Sequence, residues 1–215
     1  MRMFRFLHFA LFLAYGLVAM QCTPTGVQTG RERGTKVPIL SLRDPRLPAE
    51  ARRWLADAED EVAIARSRVD DAEKILEKQK DYGKSLKKRL KDTWSTEKGQ
   101  APAAGSKAWE IFETYAEERV ALAKVELKAA KKSLDLARAR LSQARAETAA
   151  RYDVGVYDIE PIARKVEMLK NEVAAAWREA EDQRAVVEET AVKVWKAFSV
   201  YVNKGGLTNA LWETP

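Results

Sequence analysis

The sequence predicts an all-α fold, with three long helices arranged as an up-down-up antiparallel coiled-coil bundle. Charged residues make up 33% of the 215-residue chain, which holds only 10 glycines and 7 prolines, a composition typical of long helices. Apolar and small residues recur with 3-4 spacing in three stretches, each about 45 to 50 residues long. Short polar breaks at 98–105 and 153–158 separate these stretches, so neighbouring helices should fold back on one another.

The first predicted helix begins at Ala49, directly after Pro48, and ends before the Lys98–Pro102 break. Proline suits the start of a helix and cannot continue one, so both boundaries are well marked. A seam of apolar and small residues runs through this stretch for about five heptads. Its members are Leu55, Ala58, Val62, Ala65, Val69, Ala72, Leu76, Gln79, Gly83, Leu86 and Leu90.

Two further seams follow. The second is Trp109, Phe112, Ala116, Val120, Ala123, Leu127, Ala130, Leu134, Ala137, Leu141, Ala144 and Thr148. The third is Ile162, Val166, Leu169, Val173, Ala176, Ala180, Gln183, Val187, Ala191, Val194, Phe198 and Tyr201, and it ends before Gly205. We therefore assign residues 49–204 to the bundle, with helices about 70 Å long.

Charge gives an independent prediction of the register. Folding each helix back through its break sets three acidic patches opposite three basic ones. The predicted partners are Lys84, Lys87 and Lys88 with Glu113, Glu117 and Glu118; Asp57, Asp60 and Glu61 with Arg138, Arg140 and Arg145; and Glu179, Glu181 and Asp182 with Lys128, Lys131 and Lys132. Each pair is worth only about 0.3 to 0.5 kcal/mol, but together they favour the antiparallel arrangement.

The N-terminus has the pattern of an export signal. Two arginines, Arg2 and Arg5, precede an apolar run of about fourteen residues that ends at Ala19, as in a signal peptide. A membrane span needs roughly 20 apolar residues, so an uncleaved anchor is the less favoured alternative. We predict that residues 1–21 are a signal peptide and that the mature protein is exported.

The signal ends in Val18-Ala19-Met20-Gln21-Cys22, which resembles the lipobox of bacterial lipoproteins. The resemblance implies that Cys22 is lipidated, with palmitate among its acyl chains, and attaches the protein to a membrane. Thr23 occupies the position where enteric lipoproteins carry Asp when they stay in the inner membrane, which implies delivery to the outer membrane. The alternative is secretory cleavage after Ala19, which leaves Cys22 an ordinary thiol and the protein periplasmic.

Two segments outside the bundle have little periodicity. Residues 22–48 contain four prolines and three glycines, a composition typical of an extended tether. Within this tether, residues 37–42 are apolar enough to lie against one end of the bundle. Residues 205–215 follow the glycine pair and form a C-terminal tail.

The residue types restrict the chemistry that the mature chain can perform. The sequence has one cysteine, Cys22, and one histidine, His8, so histidine-based catalytic and metal sites are excluded beyond the N-terminal segment. Neighbouring carboxylates such as Glu117 and Glu118 point about 100° apart on a helix and do not converge on one substrate. The net charge is +6, and residues of both signs are mixed along the chain. The sequence therefore lacks the run of basic residues that is typical of nucleic-acid binding. We predict no catalytic residue, cofactor, metal or nucleic-acid partner.

Aromatic residues gather at the end of the bundle farthest from the tether. Trp109, Phe112 and Phe198 lie on the seams, where they are expected to form a small core that caps the bundle. Trp94, Tyr115 and Trp212 lie off the seams, and exposed aromatics often serve as docking residues. We therefore name these three as candidate docking residues, with additional capping as the alternative.

A last resemblance concerns residues 144–176, ARAETAARYDVGVYDIEPIARKVEMLKNEVAAA. This segment is similar to a helical hairpin of the TolC-like outer-membrane efflux family, in which an R-Y-x-x-G segment precedes a long Ala-rich helix. The family's membrane strands have no counterpart here, so the resemblance implies a helical hairpin and no pore.

Together these features favour a non-enzymatic envelope lipoprotein that acts as a spacer or adaptor in the periplasm and docks an envelope protein. A soluble periplasmic holdase or scaffold is the alternative, and a surface-exposed binding lipoprotein is a third. The many alanines on the seams predict a thin core, which makes self-association into a homo-oligomer a further expectation.

Overall fold

The computed structural model describes residues 40, 42, 44–96, 104–154 and 157–203, with side chains throughout except at 90–96, 104–107 and 201–203. Three helices account for nearly all of these residues: α1 (Ala49–Thr96), α2 (Ala104–Arg151) and α3 (Ile159–Asn203). The predicted all-α, three-helix bundle is confirmed, and the helix boundaries lie within a few residues of those expected. The predicted signal peptide and the C-terminal tail lie outside the described residues.

The ion pairs between helices run in opposite sequence directions, which makes each neighbouring pair antiparallel. Between α1 and α2, Lys87 lies 2.9 Å from Glu117 and Arg145 lies 2.9 Å from Glu59. Between α2 and α3, Lys128 lies 2.7 Å from Glu179, and Glu126, earlier on α2, lies 2.7 Å from Arg184, later on α3. The predicted register is therefore confirmed.

Some individual partners differ from the prediction because a flexible lysine side chain can reach acidic residues on either neighbouring helix or on its own helix. Lys131 was expected to face α3, but it pairs with Glu73 of α1 at 3.0 Å. Lys84 pairs with Asp81 of its own helix at 3.2 Å instead of crossing to α2. Since these pairs are exposed to solvent, each contributes little to stability.

The three helices form a layer with α2 in the middle. Among the described residues, no Cα atom of α1 comes within 8 Å of a Cα atom of α3, whereas both helices pack along α2. One side of α2 packs against α1 through Ala130, Leu134 and Ala137. Another side packs against α3 through Leu136 and Ala139, which meet Val166 and Leu169. The helix in the middle is therefore apolar on two sides.

The end of the layer where α1 begins, which we call the proximal end, holds a core that includes the segment before α1. Leu40 and Leu47 are buried with Ala51 and Leu55 of α1, and they join alanines near the end of α2. The side chains of Leu42, Ala58, Tyr152, Val154 and Tyr157 pack against this core. The expected docking of the apolar part of the tether is thus observed at Leu40 and Leu42, and ordered packing extends upstream of the predicted boundary at residue 48.

A tight turn carries the chain from this segment into α1. The Leu47 N–H donates to the carbonyl oxygen of Asp44 at 3.1 Å, and Pro45 occupies the second turn position, which its fixed φ favours. The Asp44 carboxylate accepts the Arg46 backbone N–H at 3.0 Å and the Arg46 guanidinium at 2.7 Å. These hydrogen bonds lower the pKa of Asp44 from 3.8 to about 2. The carboxylate therefore favours the folded turn above pH 4, and this contribution is lost as the pH falls from about 4 to about 2.

The connection from α2 to α3 begins with a helix C-cap. Asp153 has φ of 51°, in the left-handed region, and the Val154 N–H donates to the Ala149 carbonyl oxygen at 2.9 Å. This bond, with the packing of Val154 against the proximal core that includes Ala149, is the pattern of a Schellman motif. Glycine is the usual residue where Asp153 stands, because it has no Cβ to clash.

Replacing Asp153 by glycine is expected to raise the free energy of unfolding by about 0.5 to 1 kcal/mol. Glycine relieves the left-handed strain and removes a negative charge from the helix C-terminus, and these gains exceed its larger unfolded-state entropy. Urea unfolding followed by circular dichroism measures the change. The companion variant Asp153→Val should lower stability by about 1 to 2 kcal/mol, and equal stability of the two variants would contradict this account of the turn.

Candidate docking surface

The end of the layer opposite the proximal end, which we call the distal end, carries the aromatic cap that the seams predict. Leu86, Phe112 and Ala116 are buried together, and Tyr82, Trp109, Val194 and Phe198 pack against them. Side chains of all three helices take part, although the backbones of α1 and α3 remain apart. The cluster therefore closes the open layer at this end.

The structure describes only part of the predicted site. Cys22 and Trp212 lie outside the described residues. Trp94 lies near the end of α1, where its side chain is also outside the described set. Tyr115 is half-buried on α2. The docking roles of these residues stay predictions, and Tyr115 is the one whose surroundings can be described.

Tyr115 lies beside an arginine that stacks on two tyrosines. The guanidinium carbon of Arg119 is 5.5 Å from the centroid of the Tyr115 ring and 5.0 Å from that of Tyr82 on α1. Both distances are within the range of cation–π attraction. The stack joins α1 to α2 and holds the Tyr115 ring at the surface of the layer, next to the distal cluster.

The middle helix α2 presents two different stripes to the two open faces of the layer. One stripe, which we call the charged stripe, consists of Glu117, Lys124, Lys128, Lys131 and Asp135, all of them exposed. Its spacing of seven, four, three and four residues keeps these side chains on one side of the helix. Lys131 reaches Glu73 of α1 and Lys128 reaches Glu179 of α3, so ion pairs extend this face to both outer helices.

The opposite stripe of α2 consists of Tyr115, Arg119, Leu122, Glu126 and Ser133, all half-buried. Leu122 and Lys124 are two positions apart, which places them about 160° apart around the helix. On this side, the indole N–H of Trp177 donates to the Ser133 hydroxyl at 3.2 Å. Long side chains from both neighbours thus cover part of this stripe.

A charge-assisted contact secures α3 on the same side. The Arg184 guanidinium lies 2.7 Å from the Glu126 carboxylate, and this hydrogen bond raises the pKa of Arg184. Arg184 is seven residues after Trp177 and eleven before Trp195, so all three lie on one side of α3. Trp195 is 63% exposed, and it extends this side to the distal end.

Helix α1 contributes aliphatic residues to this same face. Tyr82 reaches it through the Arg119 stack. Ile75 lies seven residues before Tyr82 and Ile64 eleven residues before Ile75, close to whole numbers of helical turns. Both isoleucines are exposed. We call the surface formed by Ile64, Ile75, Tyr82, Tyr115, Leu122, Trp177 and Trp195 the aromatic face.

Sequence reasoning located the distal cluster but missed most of the aromatic face. The seams identify residues buried between two helices, whereas Ile64, Ile75 and Trp177 lie beside the seams. The spacing of these residues could have predicted the aromatic face, because apolar residues 7, 11 or 18 positions apart stay on one side of a helix. Trp195 was not among the candidate docking residues, and its exposure was not predicted.

Three absences apply within the part of the chain that the structure describes. No group of three or more His, Cys, Asp or Glu side chains is placed to hold a metal ion. None of the helices α1 to α3 combines the length and apolarity needed to cross a membrane. Gly83 lies on the seam of α1, and no atom outside the nearby backbone of its own helix lies within 4 Å of the place where a Cβ would be. The seam is therefore loosely packed at that point.

The chain matches no protein-family model, no curated protein and no solved structure.

Proposed function

We propose that this chain is a non-enzymatic envelope lipoprotein that acts as a coiled-coil spacer or adaptor. In this proposal Cys22 carries the lipid anchor, and the bundle extends about 70 Å into the periplasm from the outer membrane. The observation that carries the proposal is the difference between the two ends of the layer. The segment that leads back to Cys22 packs into the proximal core through Leu40 and Leu47, while the aromatic cluster lies at the other end.

This arrangement suits a spacer because Leu40 and Leu47, which precede α1 on the side that leads to Cys22, are packed into the rod itself. The three helices are 45 to 48 residues long, and ion pairs join them along their length. Three joined helices resist bending better than a single helix does. The distal end carries Tyr115 next to the cap and the exposed indole of Trp195. We propose that an envelope protein docks at this end, with Trp94 and Trp212 as further candidates.

Metabolic labelling with a clickable palmitate tests the anchor. The wild-type protein is expected to be labelled and to fractionate with outer membranes, and Cys22→Ala is expected to lose both properties. Thr23→Asp is the matched control, because it should keep the label while moving the protein to the inner membrane. If the wild-type protein is unlabelled and soluble in the periplasm, the anchored spacer is wrong.

A soluble holdase is the second candidate, and the exposed apolar residues along the aromatic face favour it. Three of these residues, Ile64, Ile75 and Trp177, lie far from the distal end. Docking of a partner at the distal end does not explain why apolar residues are exposed there. The unlabelled outcome, together with suppression of the aggregation of an unfolded protein by the purified chain, would support this alternative.

A further inference from the structure

We infer that the aromatic face, away from its distal end, is the interface of a homodimer, in which a second copy of this chain covers it with its own aromatic face. The contact centres on Ile64, Ile75, Leu122 and Trp177, and it leaves Tyr115 and Trp195 available to the docking partner of the proposed function. The inference goes beyond the proposed function, since it holds whether or not Cys22 carries a lipid.

The described structure is one layer thick. Helical domains normally bury their apolar sides between two packed layers. Here α1 and α3 meet only through side chains of the distal cluster, and their backbones do not approach each other across either face of α2. No helix of the described chain therefore covers the middle of the layer. The face of α2 that carries Leu122 and Tyr115 is the apolar one, and it lacks a second layer.

The two faces of the layer differ in composition. On one side α2 shows the five exposed residues of the charged stripe, and α3 adds the exposed side chains of Met168 and Val186. On the other side aromatic and aliphatic side chains of all three helices lie with Arg119, Glu126 and Arg184 between them. Aromatic residues and arginine are enriched at protein interfaces, whereas lysine is depleted. The composition therefore selects the aromatic face for docking and leaves the charged face in water.

Each face of the layer is large enough for a stable dimer interface. Three helices about 10 Å wide and about 70 Å long present roughly 2,000 Å² on each face of the layer. A stable interface needs about 800 Å² from each partner. Contact over less than half of the aromatic face is therefore sufficient for a dimer.

The two edges of the aromatic face match each other, as a twofold interface requires. Glu73 of α1 pairs with Lys131, and Trp177 of α3 bonds Ser133, two residues further along α2. Ile75 and Trp177 thus lie at nearly the same level on either side of α2, within about 6 Å along the axis. A twofold axis parallel to α2 sets each isoleucine against a tryptophan of the second copy.

Paired substitutions test the interface. Ile64 and Ile75, on the aromatic face, are 54% and 45% exposed, while Met168 and Val186, on the other side of α3, are 53% and 42% exposed. Met168 and Val186 each lie nine residues from Trp177, which is half a turn away around the helix. The two pairs are therefore matched in exposure and differ in the face that they occupy.

The full chain, purified in mild detergent as the cell produces it, is expected to be dimeric by native mass spectrometry and sedimentation velocity. The double variant Ile64→Lys, Ile75→Lys should raise the dissociation constant of the dimer at least about thirtyfold. This is the usual loss of affinity when a buried apolar anchor is removed. Met168→Lys with Val186→Lys should leave the dissociation constant unchanged. A monomeric wild type at tens of micromolar, or equal dissociation of both variants, would overturn the inference.

Photo-crosslinking in intact cells covers the case in which the lysine variant fails to fold. Benzoylphenylalanine in place of Ile75 is expected to give covalent dimers of the chain, and the same group in place of Val186 is expected to give none. Crosslinks from position 75 only to other proteins, or to none, would show that a second copy does not cover the aromatic face.

Discussion

Replacing Leu47 by alanine is expected to lower the free energy of unfolding by about 3 kcal/mol. Leu47 is 1% exposed and lies in the proximal core with Leu40 and Leu55. Truncation of a buried leucine removes its transfer free energy and leaves a cavity, at a cost of about 2 to 5 kcal/mol. Urea unfolding followed by circular dichroism measures the loss. The variant should also expose the segment before α1 to limited proteolysis, because Leu47 holds that segment to the layer.

Leu42→Ala is the graded control, since Leu42 is half-buried at the edge of the same core and should cost about 1 kcal/mol. An unchanged unfolding transition for Leu47→Ala would mean that the segment before α1 is not part of the core. In the proposed function, that outcome would remove the attachment of the anchored side of the chain to the proximal core at Leu40 and Leu47.

The sequence contained enough information to predict the helices and their register. A heptad seam reports burial against one neighbour, so the positions from Leu55 to Leu86 and from Ile162 to Val187 were found where the structure buries or half-buries them. Charge complementarity added the register, which Lys87 and Glu117 confirm. The start of α1 was well marked because Pro48 precedes it.

The arrangement of the three helices could not be derived in the same way. One seam was assigned to α2, the one that faces α1, and the side that faces α3 through Leu136 and Ala139 was overlooked. A helix that is apolar on two sides has a weak periodic signal, because its apolar residues no longer gather in one stripe. Heptad spacing also does not say whether α1 and α3 touch. That contact decides whether Ile75 and Trp177 are covered or exposed.

Replacing Ala180 by phenylalanine is expected to loosen α3 from α2 while α1 stays paired with α2. Ala180 is fully buried, and away from the distal cluster α3 packs on α2 alone among the described helices. A phenyl ring at a site where two helices approach closely forces them apart, and overpacking of this kind costs about 1 to 3 kcal/mol or more. Because α1 and α3 use different sides of α2, the loss should be confined to one seam.

Hydrogen exchange followed by mass spectrometry distinguishes this result from global unfolding. Amides of α3 on either side of Ala180 should exchange at least about tenfold faster, as a local loss of about 1.4 kcal/mol or more requires, while amides of α1 near Val69 should keep their protection. Ala185→Phe is the matched control, since Ala185 is exposed on the same helix and tolerates a ring without contact. Equal acceleration in α1 and α3 would show that the helices unfold as one unit around a shared core. The layer described here has two separate seams, and α2 is their only common member along most of its length.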